Sequence, residues 1–279
     1  MKSLFFGFCL TVVVLDKRID RIDRKIDKGR IKRKRSEDLE TTQAVIDKRT
    51  AMILYDLINR GYLDSMKGVV ASGKESNVYW ATAEENGVTR NLAVKIYRTS
   101  TMDFKRIWVY IQGDPRFTKV KRDTRSIVYA WAEKEFKNLR LADEAGVRVP
   151  KPIVWRGNVL VMEFIGENGV SAPRLREAMV EDPEPVFKIV FDYVVKLYEK
   201  AELVHADLSE YNILYWDEPV IIDVSQGVLL SHHLALDFLA RDLRNILRYF
   251  SSLGVEVPSL EEAYKKVTGE ELVWRQESL

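Results

Sequence analysis

Apolar side chains recur at intervals of three and four residues in four stretches of the chain, the spacing that places them on one face of a helix. In the first stretch the pattern ends just before Gly61, a residue typical of helix ends. In the third stretch the apolar spacing continues from Val186 to Leu197. The pattern therefore predicts amphipathic helices over Val45–Asn59, Arg125–Glu144, Pro185–Ala201 and Leu234–Phe250.

Short runs rich in β-branched and aromatic residues separate these helices and predict strands. Asn86-Gly87 lies between two of the runs and is a strong signal for a tight hairpin turn. Most of the runs precede a Gly-containing linker at 166–173, and long helices dominate after it. We therefore predict an α+β protein with a helix and sheet lobe over residues 36–165 and a helical lobe over residues 166–279. The predicted strands are Gly68–Val70, Asn77–Ala83, Asn91–Tyr97, Ile153–Arg156, Val159–Ile165, Ile213–Tyr215 and Val220–Asp223.

A polar and basic segment interrupts the first lobe between Thr99 and Arg125. It contains Gly113-Asp114-Pro115, a combination that favours turns over regular structure. We expect a basic insertion at 99–125, made of irregular or mobile chain with some helix around Met102–Tyr110.

The composition limits the class of protein. Hydrophobic residues make up 46% of the 279 residues and charged residues 31%, which excludes disordered and collagen-like chains. Cys9 is the single cysteine, so an internal disulfide and a cysteine-rich zinc site are excluded. This cysteine usage fits a reducing compartment, and we expect a cytoplasmic protein. Of the three histidines, we expect His205 to be a hydrogen-bonded core residue and His232 and His233 to lie in a surface loop.

Positive charge is concentrated near the N-terminus. The chain has a net charge of +2, yet residues 16–35 alone carry eleven Lys or Arg against four Asp. Two interpretations remain open: an arm that binds RNA phosphates, or a tail that only increases solubility. The preceding apolar run, Leu4 to Leu15, is too short to cross a bilayer as a helix, so we expect no membrane partner. We expect residues 1–35 to lie outside the folded core, with residues 1–15 an extension of no structural role; the alternative is a secretion signal.

The clearest chemical signal is His-Ala-Asp-Leu-Ser-Glu-Tyr-Asn, which begins at His205 and is followed by Asp223 at a strand end. The order H-x-D-x-x-x-x-N and then Asp is what a phosphoryl-transfer site needs. Asp207 would orient an attacking hydroxyl or water, and Asn212 and Asp223 would supply oxygen ligands for magnesium. The arrangement predicts a phosphotransferase.

Two weaker signals precede this one. The turn within Ala71–Tyr79 carries small residues that let backbone amides approach a phosphate, although taken alone it also fits an ordinary hairpin. Lys95 lies on an apolar strand, where burial requires a carboxylate or phosphate partner. Glu133 and Glu135 on the following helix are candidates, and the four-residue spacing to the core leucine at 139 favours Glu135. The alternative is an edge-strand lysine that points into water.

From about Val45 to Phe250 the chain resembles the RIO family of atypical protein kinases, and specifically its Rio-one branch. HADLSEYN and IYRTSTMDFK are the most specific of the shared segments. The resemblance implies a two-lobed, protein-kinase-like fold with a small antiparallel-sheet N-lobe and a reduced helical C-lobe. The segments that carry it are ASGKESNVY, LAVKIYRTSTMDFK, YIQGDPRF, WAEKEFKNL, VPKPI, VLVMEFIG, HADLSEYNIL and IIDVSQGV.

The same resemblance implies an ATP site. Lys95 and Glu135 would pair over the α and β phosphates, and Ser76 would touch phosphate. Beyond Met162, the backbone of residues 163 and 165 would meet adenine. Asp207 becomes the catalytic residue, and Asp223, a metal ligand with Asn212, joins the catalytic set because it is a candidate for transient phosphorylation. The implied ATP-binding residues are Ser72, Gly73, Lys74, Glu75, Ser76, Val78, Lys95, Glu135, Met162, Glu163, Phe164, Ile165 and Asn212.

The resemblance further implies a serine/threonine kinase and ATPase that uses ATP and Mg²⁺, with Mn²⁺ as an alternative ion. It links the chain to maturation of the small ribosomal subunit, with the pre-ribosomal small subunit and its RNA as partners. Hydroxyl residues in 99–126 are candidates for autophosphorylation. The chain after Asp223 lacks an A-P-E motif and room for a usual peptide platform. The resemblance implies a role for ATP hydrolysis beside protein phosphorylation, and which of the two activities dominates stays open. Two alternatives remain: an aminoglycoside-type small-molecule phosphotransferase and a non-catalytic RNA-binding assembly factor.

Overall fold

The computed structural model describes residues 46–99 and 104–272 of the chain. The expectations for the apolar run and the basic block near the N-terminus lie outside these residues. The predicted long helices are confirmed, with ends that differ from the predicted ones by at most three residues. Within the described ranges the α-helices are α1 (Lys48–Asn59), α2 (Phe104–Ile111), α3 (Thr124–Glu144), α4 (Pro183–Glu199), α5 (Ala235–Ser252) and α6 (Leu260–Thr268).

The first lobe is built around an antiparallel five-stranded sheet, with strand order β1-β2-β3-β5-β4. Asn86 and Gly87 have φ angles of 53° and 79° and join β2 to β3. Positive φ at both positions of a two-residue turn matches the right-handed twist of the flanking strands, which confirms the predicted hairpin. The five strands are β1 (Ser65–Ser72), β2 (Ser76–Glu85), β3 (Val88–Tyr97), β4 (Pro152–Arg156) and β5 (Val159–Glu163).

Lys95 lies in the interior of this sheet. Its register partners are Val78 on β2 and Leu160 on β5, so β3 has a hydrogen-bonded neighbour on both sides. The edge-strand alternative for Lys95 is therefore wrong.

The two faces of the sheet are covered by different helices. Val94 and Ile96 of β3 share one buried cluster with Leu54 and Leu57 of α1. Ala93 and Tyr97, on the opposite face, belong to the cluster that contains the apolar side of α3. Because side chains alternate along a strand, Lys95 lies on the same face as Ala93 and Tyr97. The alternation therefore turns the lysine toward α3.

The second lobe is mainly helical. Phe187 of α4 packs on Phe250 of α5 with ring centroids 5.3 Å apart, and α6 begins with a capping box formed by Ser259 and Glu262. The pattern analysis did not predict α6. No helix of the described ranges is both long and apolar enough to cross a membrane. Short elements join the helices: β6 (Gly166–Glu167), β7 (Val170–Ser171), β8 (Leu203–Val204), β9 (Ile213–Trp216), β10 (Glu218–Ile221), β11 (Val228–Leu229) and two single-turn 3₁₀ helices, Pro115–Phe117 and Val224–Gln226.

The segment between the lysine strand and α3 is more regular than expected. Helix α2 confirms the helix expected around Met102–Tyr110, and a 3₁₀ turn follows at Pro115–Phe117. Ile107, Ile111 and Phe117 are buried in the same cluster as the helical lobe. The expectation is confirmed in part: residues 118–123 have no regular secondary structure, as expected, but the apolar side chains at 107, 111 and 117 join the core, so the segment is not a separate insertion.

Two of the three histidines have the predicted burial, and the third does not. His205 is buried and hydrogen-bonded, and His233 is exposed, as expected. His232 is buried instead of lying on the surface. Its Nε2 atom is 3.1 Å from the carbonyl oxygen of Val109, and its ring stacks on Phe238. Helix α2 covers this histidine, which local sequence did not indicate.

Candidate active site

Lys95 is held between two carboxylates. Its Nζ atom lies 2.8 Å from both carboxylate oxygens of Glu135 and 2.9 Å from Oδ1 of Asp223. Lys95 and Glu135 are almost completely buried. Glu133 instead pairs with Lys137 at 2.7 Å on the surface of α3. The predicted contact of Lys95 with Glu135 is confirmed, and Asp223 is a second partner.

Burial and charge act in opposite directions on this lysine. Burial alone disfavours the charged amine, but Asp223 and Glu135 outweigh it and raise the pKa of Lys95 above its usual value. Burial raises the pKa of Glu135 to about 7, against the opposing attraction of Lys95. Lys95 therefore remains protonated, and a fixed positive charge of this kind can bind phosphate groups.

Asp223 follows β10 and has an unusual backbone conformation. Its φ and ψ angles are 58° and 52°, in the left-handed region that residues other than glycine rarely adopt. The hydroxyl of Ser225 donates to Oδ1 of Asp223 at 2.9 Å, and the side chain is 48% exposed. Burial raises the pKa of the Asp223 carboxyl, but Lys95 and then Ser225 lower it by more, so the net shift is downward. The carboxylate is ionised and accessible.

Asp207 lies in the loop between β8 and β9, half-buried. The amide of Asn212 donates to its carbonyl oxygen at 2.8 Å, which closes the loop between the two residues. Gln226 Nε2 donates to Oδ2 of Asp207, also at 2.8 Å. The loop that follows Asp223 therefore orients the predicted catalytic carboxylate. Sequence reasoning missed Gln226, which stands inside the quoted IIDVSQGV segment without a motif of its own.

A buried aspartate on α5 holds the loop that contains Asp207 through hydrogen bonds to its backbone. Asp242 accepts hydrogen bonds from the backbone N–H groups of Ala206 at 2.7 Å and Leu208 at 2.9 Å, on either side of Asp207. Arg241 donates to the carbonyl oxygen of Ala206, and His205 lies 3.1 Å from the carbonyl oxygen of Ile222. The sequence analysis missed Asp242. The available signal was a carboxylate on the apolar face of a predicted amphipathic helix.

The predicted phosphate turn is a compact hairpin end. The N–H of Gly73 donates to the carbonyl oxygen of Ser76 at 2.9 Å, and the hydroxyl of Ser72 donates to Asn77 at 3.0 Å. Ser72, Gly73 and Lys74 are exposed, whereas residues 75 and 76 are half-buried. Val78, three residues beyond Glu75, pairs directly with Lys95, so the turn projects from the lysine end of β2. Its role toward phosphate stays a prediction.

The predicted adenine strand lies at the end of β5. Met162 is buried opposite Ala93, and Glu163 is fixed by two 2.8 Å hydrogen bonds from Arg148. The N–H of Phe164, the first residue after β5, donates to the carbonyl oxygen of residue 91 on β3. The N–H of Ile165 has no acceptor among the described residues. The predicted contact of this strand with adenine stays a prediction.

The oxygen atoms of Asn212 and Asp223 suit a magnesium ion. Oδ1 of Asn212 and Oδ2 of Asp223 accept no hydrogen bond from any residue that the structure describes. Magnesium prefers oxygen ligands and commonly takes one or two from the protein, with the others from water and phosphates. The described part of the chain has no cluster of three or more His, Cys, Asp or Glu side chains that could hold a metal. A two-residue site completed by phosphate oxygens is the arrangement that fits.

A lysine fixed by a helix glutamate and bound to Asp223, whose loop in turn binds Asp207, is the geometry of a protein-kinase-like enzyme. The sequence model described as the RIO domain matches residues 77–263. The RIO-type serine/threonine-protein kinase Rio1 of Methanocaldococcus jannaschii is 44% identical over 266 residues, which are 94% of this chain and 90% of that protein. Its counterpart of the same name in Haloferax volcanii is 41% identical over 263 residues, 92% of this chain and 89% of that protein. The chain therefore belongs to the RIO family, in its Rio1 branch, and is a RIO-type protein kinase.

A solved structure agrees on the architecture. The Rio2 kinase of Chaetomium thermophilum, in its ADP/Mg²⁺-phosphoaspartate complex, superposes with a TM-score of 0.58 at 22% identity. The match covers 79% of this chain and 66% of that one. This likeness confirms the two-lobed kinase-like fold.

Proposed function

We propose that the chain binds ATP with Mg²⁺ and transfers the γ-phosphoryl group to serine or threonine hydroxyls and to water. The observation that carries the proposal is the position of Lys95, 2.8 Å from Glu135 and 2.9 Å from Asp223. A lysine fixed in this way presents its charge to nucleotide phosphates, because the glutamate holds the amine at a defined position. The neighbouring Asp223 belongs to the proposed metal site. The ammonium group of Lys95 therefore connects the proposed phosphate-binding site with the proposed metal site.

Each residue of the proposed site has a separate role in nucleotide binding, metal binding or phosphoryl transfer. Lys95 holds phosphate oxygens, and the N–H of Ile165 donates to the nucleotide base. Asn212 and Asp223 hold the metal ion, which neutralises phosphate charge when bound. Asp207, oriented by Gln226, accepts a hydrogen bond from the attacking hydroxyl or water and aligns its oxygen.

The short connection after the metal aspartate supports hydrolysis as the main reaction. Only a 3₁₀ turn and β11 separate Asp223 from α5, which begins at Ala235. A usual protein kinase uses a longer segment at this point to hold a peptide substrate. Water needs no such platform. We therefore propose that ATP hydrolysis dominates and that phosphorylation of serine or threonine is the slower reaction.

The proposed place of action is the small ribosomal subunit during its maturation. The resemblance to RIO proteins supports this role, and so does the excess of positive charge in residues 16–35, which suits RNA phosphates. RNA contact by the segment at 99–125 belongs to the same proposal.

The decisive experiment is ATP hydrolysis by the purified full chain, with and without purified small ribosomal subunits, in Mg²⁺ and in EDTA. We expect metal-dependent hydrolysis that the subunits stimulate, and no hydrolysis by Asp207→Ala. Faster phosphorylation of an aminoglycoside than of water would favour the small-molecule phosphotransferase. Subunit binding without any hydrolysis would favour the non-catalytic assembly factor.

A further inference from the structure

Helix α3 carries two buried polar residues that the chemistry proposed above does not use. Lys134 and Asn138 are one helical turn apart, and both are completely buried. Lys134 directly precedes Glu135, yet it does not share the hydrogen bonds of Glu135 with Lys95. Because burial of an amine without partners is strongly unfavourable, such a lysine requires specific acceptors.

The acceptors are backbone carbonyl oxygens of the loop that follows Asp223. Lys134 Nζ donates to the carbonyl oxygen of Ser225 at 3.2 Å and to that of Gly227. Asn138 Nδ2 donates to the carbonyl oxygens of Val224 and Gly227, both at 2.8 Å. Two side chains of one helix therefore bind three of the four carbonyl groups between residues 224 and 227.

Gly227 allows this close approach. A Cβ atom at this position would lie 3.0 Å from Nδ2 of Asn138 and 3.0 Å from the carbonyl oxygen of Val224. Both distances are shorter than ordinary van der Waals contact. A side chain at 227 would therefore push the loop away from α3.

A second set of contacts orients Asn138. Its Oδ1 atom accepts a hydrogen bond from Arg116 at 2.9 Å, so its Nδ2 atom must face the loop. Arg116 is itself fixed by Asp114, with its Nη2 atom 2.7 Å from Oδ2 and its Nε atom 2.9 Å from Oδ1. Asp114 and Arg116 belong to the YIQGDPRF segment of the sequence, to which the phosphoryl-transfer chemistry assigned no role.

We propose that Lys134 and Asn138 are positioning residues that hold the 224–227 loop so that Asp223 presents its carboxylate to the metal ion. The left-handed backbone of Asp223 supports this inference, because a non-glycine residue keeps such a conformation only where its surroundings enforce it. The same loop carries Gln226, which orients Asp207. The inference rests on the proposed metal-dependent phosphoryl transfer and assigns the residues that align its metal ligand.

The burial of Lys134 indicates which substitution tests its role. Burial lowers the pKa of Lys134 to about 7; Asp114 opposes this shift and Arg116 adds to it. Methionine has a similar length and no charge, so Lys134→Met is expected to keep the packing of the core and to remove only the hydrogen bonds of Lys134 to the loop. Of its hydrogen bonds to α3, the loop then keeps only the two from Asn138.

The experiment compares Lys134→Met and Asn138→Leu with the wild-type full chain. Lys137→Met is the matched control, because Lys137 lies on the same helix but pairs with Glu133 away from the loop. Three quantities are measured: Mn²⁺ affinity in the presence of ADP by electron paramagnetic resonance, ADP affinity in EDTA, and the midpoint of thermal unfolding.

We expect Mn²⁺ affinity to fall about tenfold in both variants, since loss of a group that orients a metal ligand typically has this effect. ADP affinity in EDTA should stay at the wild-type value, and Lys134→Met should unfold slightly below the wild-type temperature, because the carbonyl oxygen of Ser225 loses its donor. The control should match the wild type in all three. Unchanged Mn²⁺ affinity in both variants would overturn the inference, and so would equal losses of metal affinity, ADP affinity and thermal stability.

Failure of the proposed function gives a different result. A wild-type chain that binds Mn²⁺ with ADP but does not hydrolyse ATP would overturn the proposed reaction. The tenfold contrast between wild type and variants would still support the positioning role.

Discussion

The carboxylate of Asp223 lies 2.9 Å from the ammonium group of Lys95, although 128 residues separate them along the chain. Lys95 lies on the central strand of the sheet lobe, and Asp223 follows a strand of the helical lobe. Their contact forms only when both lobes have folded and docked. The phosphate-binding charge and the proposed metal ligand therefore depend on each other.

Replacement of Lys95 by methionine should reduce ATP affinity more than tenfold, because the phosphate-binding charge is lost. The substitution also leaves the buried Glu135 without its partner, which should lower the free energy of unfolding by about 3–5 kcal/mol. Isothermal titration calorimetry and urea unfolding measure the two effects. The double variant Lys95→Met with Glu135→Gln should recover most of the stability but not the binding. ATP affinity at the wild-type level in Lys95→Met would contradict the assignment.

Asp207→Ala should show the opposite pattern. Asp207 aligns the attacking oxygen, whereas Lys95 and the end of β5 hold the nucleotide, so phosphoryl transfer should be lost while ATP affinity stays largely intact. Parallel binding and hydrolysis assays with the Lys95 variant check this separation. Equal loss of both, or retained hydrolysis, would show that Asp207 has another role.

Asp223 is expected to be phosphorylated transiently during turnover. In this step a carboxylate oxygen of Asp223 bonds to the γ-phosphorus of ATP as the bond to ADP breaks, and water later releases inorganic phosphate. Its exposed, ionised carboxylate supports this expectation. Borohydride trapping during turnover, followed by mass spectrometry, should locate the modification at Asp223. Absence of trapped product there, with hydrolysis in progress, would argue for direct attack by water.

Asp242 should make stability depend on pH between about 4 and 7. Burial raises its pKa to about 7, although Leu208, Ala206 and Arg241 favour the ionised form. Because the folded-state pKa exceeds the unfolded one, the stability it contributes is complete below about pH 4 and is lost as the pH rises through 7.

The effect is measured against Asp242→Asn, which does not titrate. The free energy of unfolding of the wild type relative to the variant should fall by up to ~4 kcal/mol from pH 4 to pH 7.5. Urea unfolding of both proteins at several pH values gives this difference, in which the other titrating groups cancel. A difference that stays constant or moves in the opposite direction would contradict the prediction.

Deletion of residues 1–35 should weaken binding to the small ribosomal subunit and reduce its dependence on salt. Each lysine or arginine that contacts a phosphate releases counterions, so its loss lowers the slope of log affinity against log salt by about one unit. Basal ATP hydrolysis should remain near the wild-type rate, because the described site uses none of these residues. An unchanged salt slope, or loss of hydrolysis, would contradict the role of this arm.

Hydrophobic periodicity and local motifs were sufficient to predict many of the elements of this structure. The long helices and the strands of the sheet follow from apolar spacing, and the Asn86-Gly87 turn from its two residues. The pairing of Lys95 with Glu135 was also accessible, because the strand and the helix follow each other in the chain. Such features depend on interactions between neighbouring segments, which leave a regular pattern in the sequence.

Tertiary structure alone decided which distant groups meet. Lys134 binds carbonyl oxygens 91 and 93 residues away, and Asp242 binds backbone N–H groups 36 and 34 residues before it. Backbone groups are the same at every residue, so no sequence pattern marks the ones that receive a buried side chain. The burial of His232 beneath α2 has the same cause. A lone polar residue within an apolar pattern indicates that a partner exists, but only the packing of the two lobes shows which partner it is.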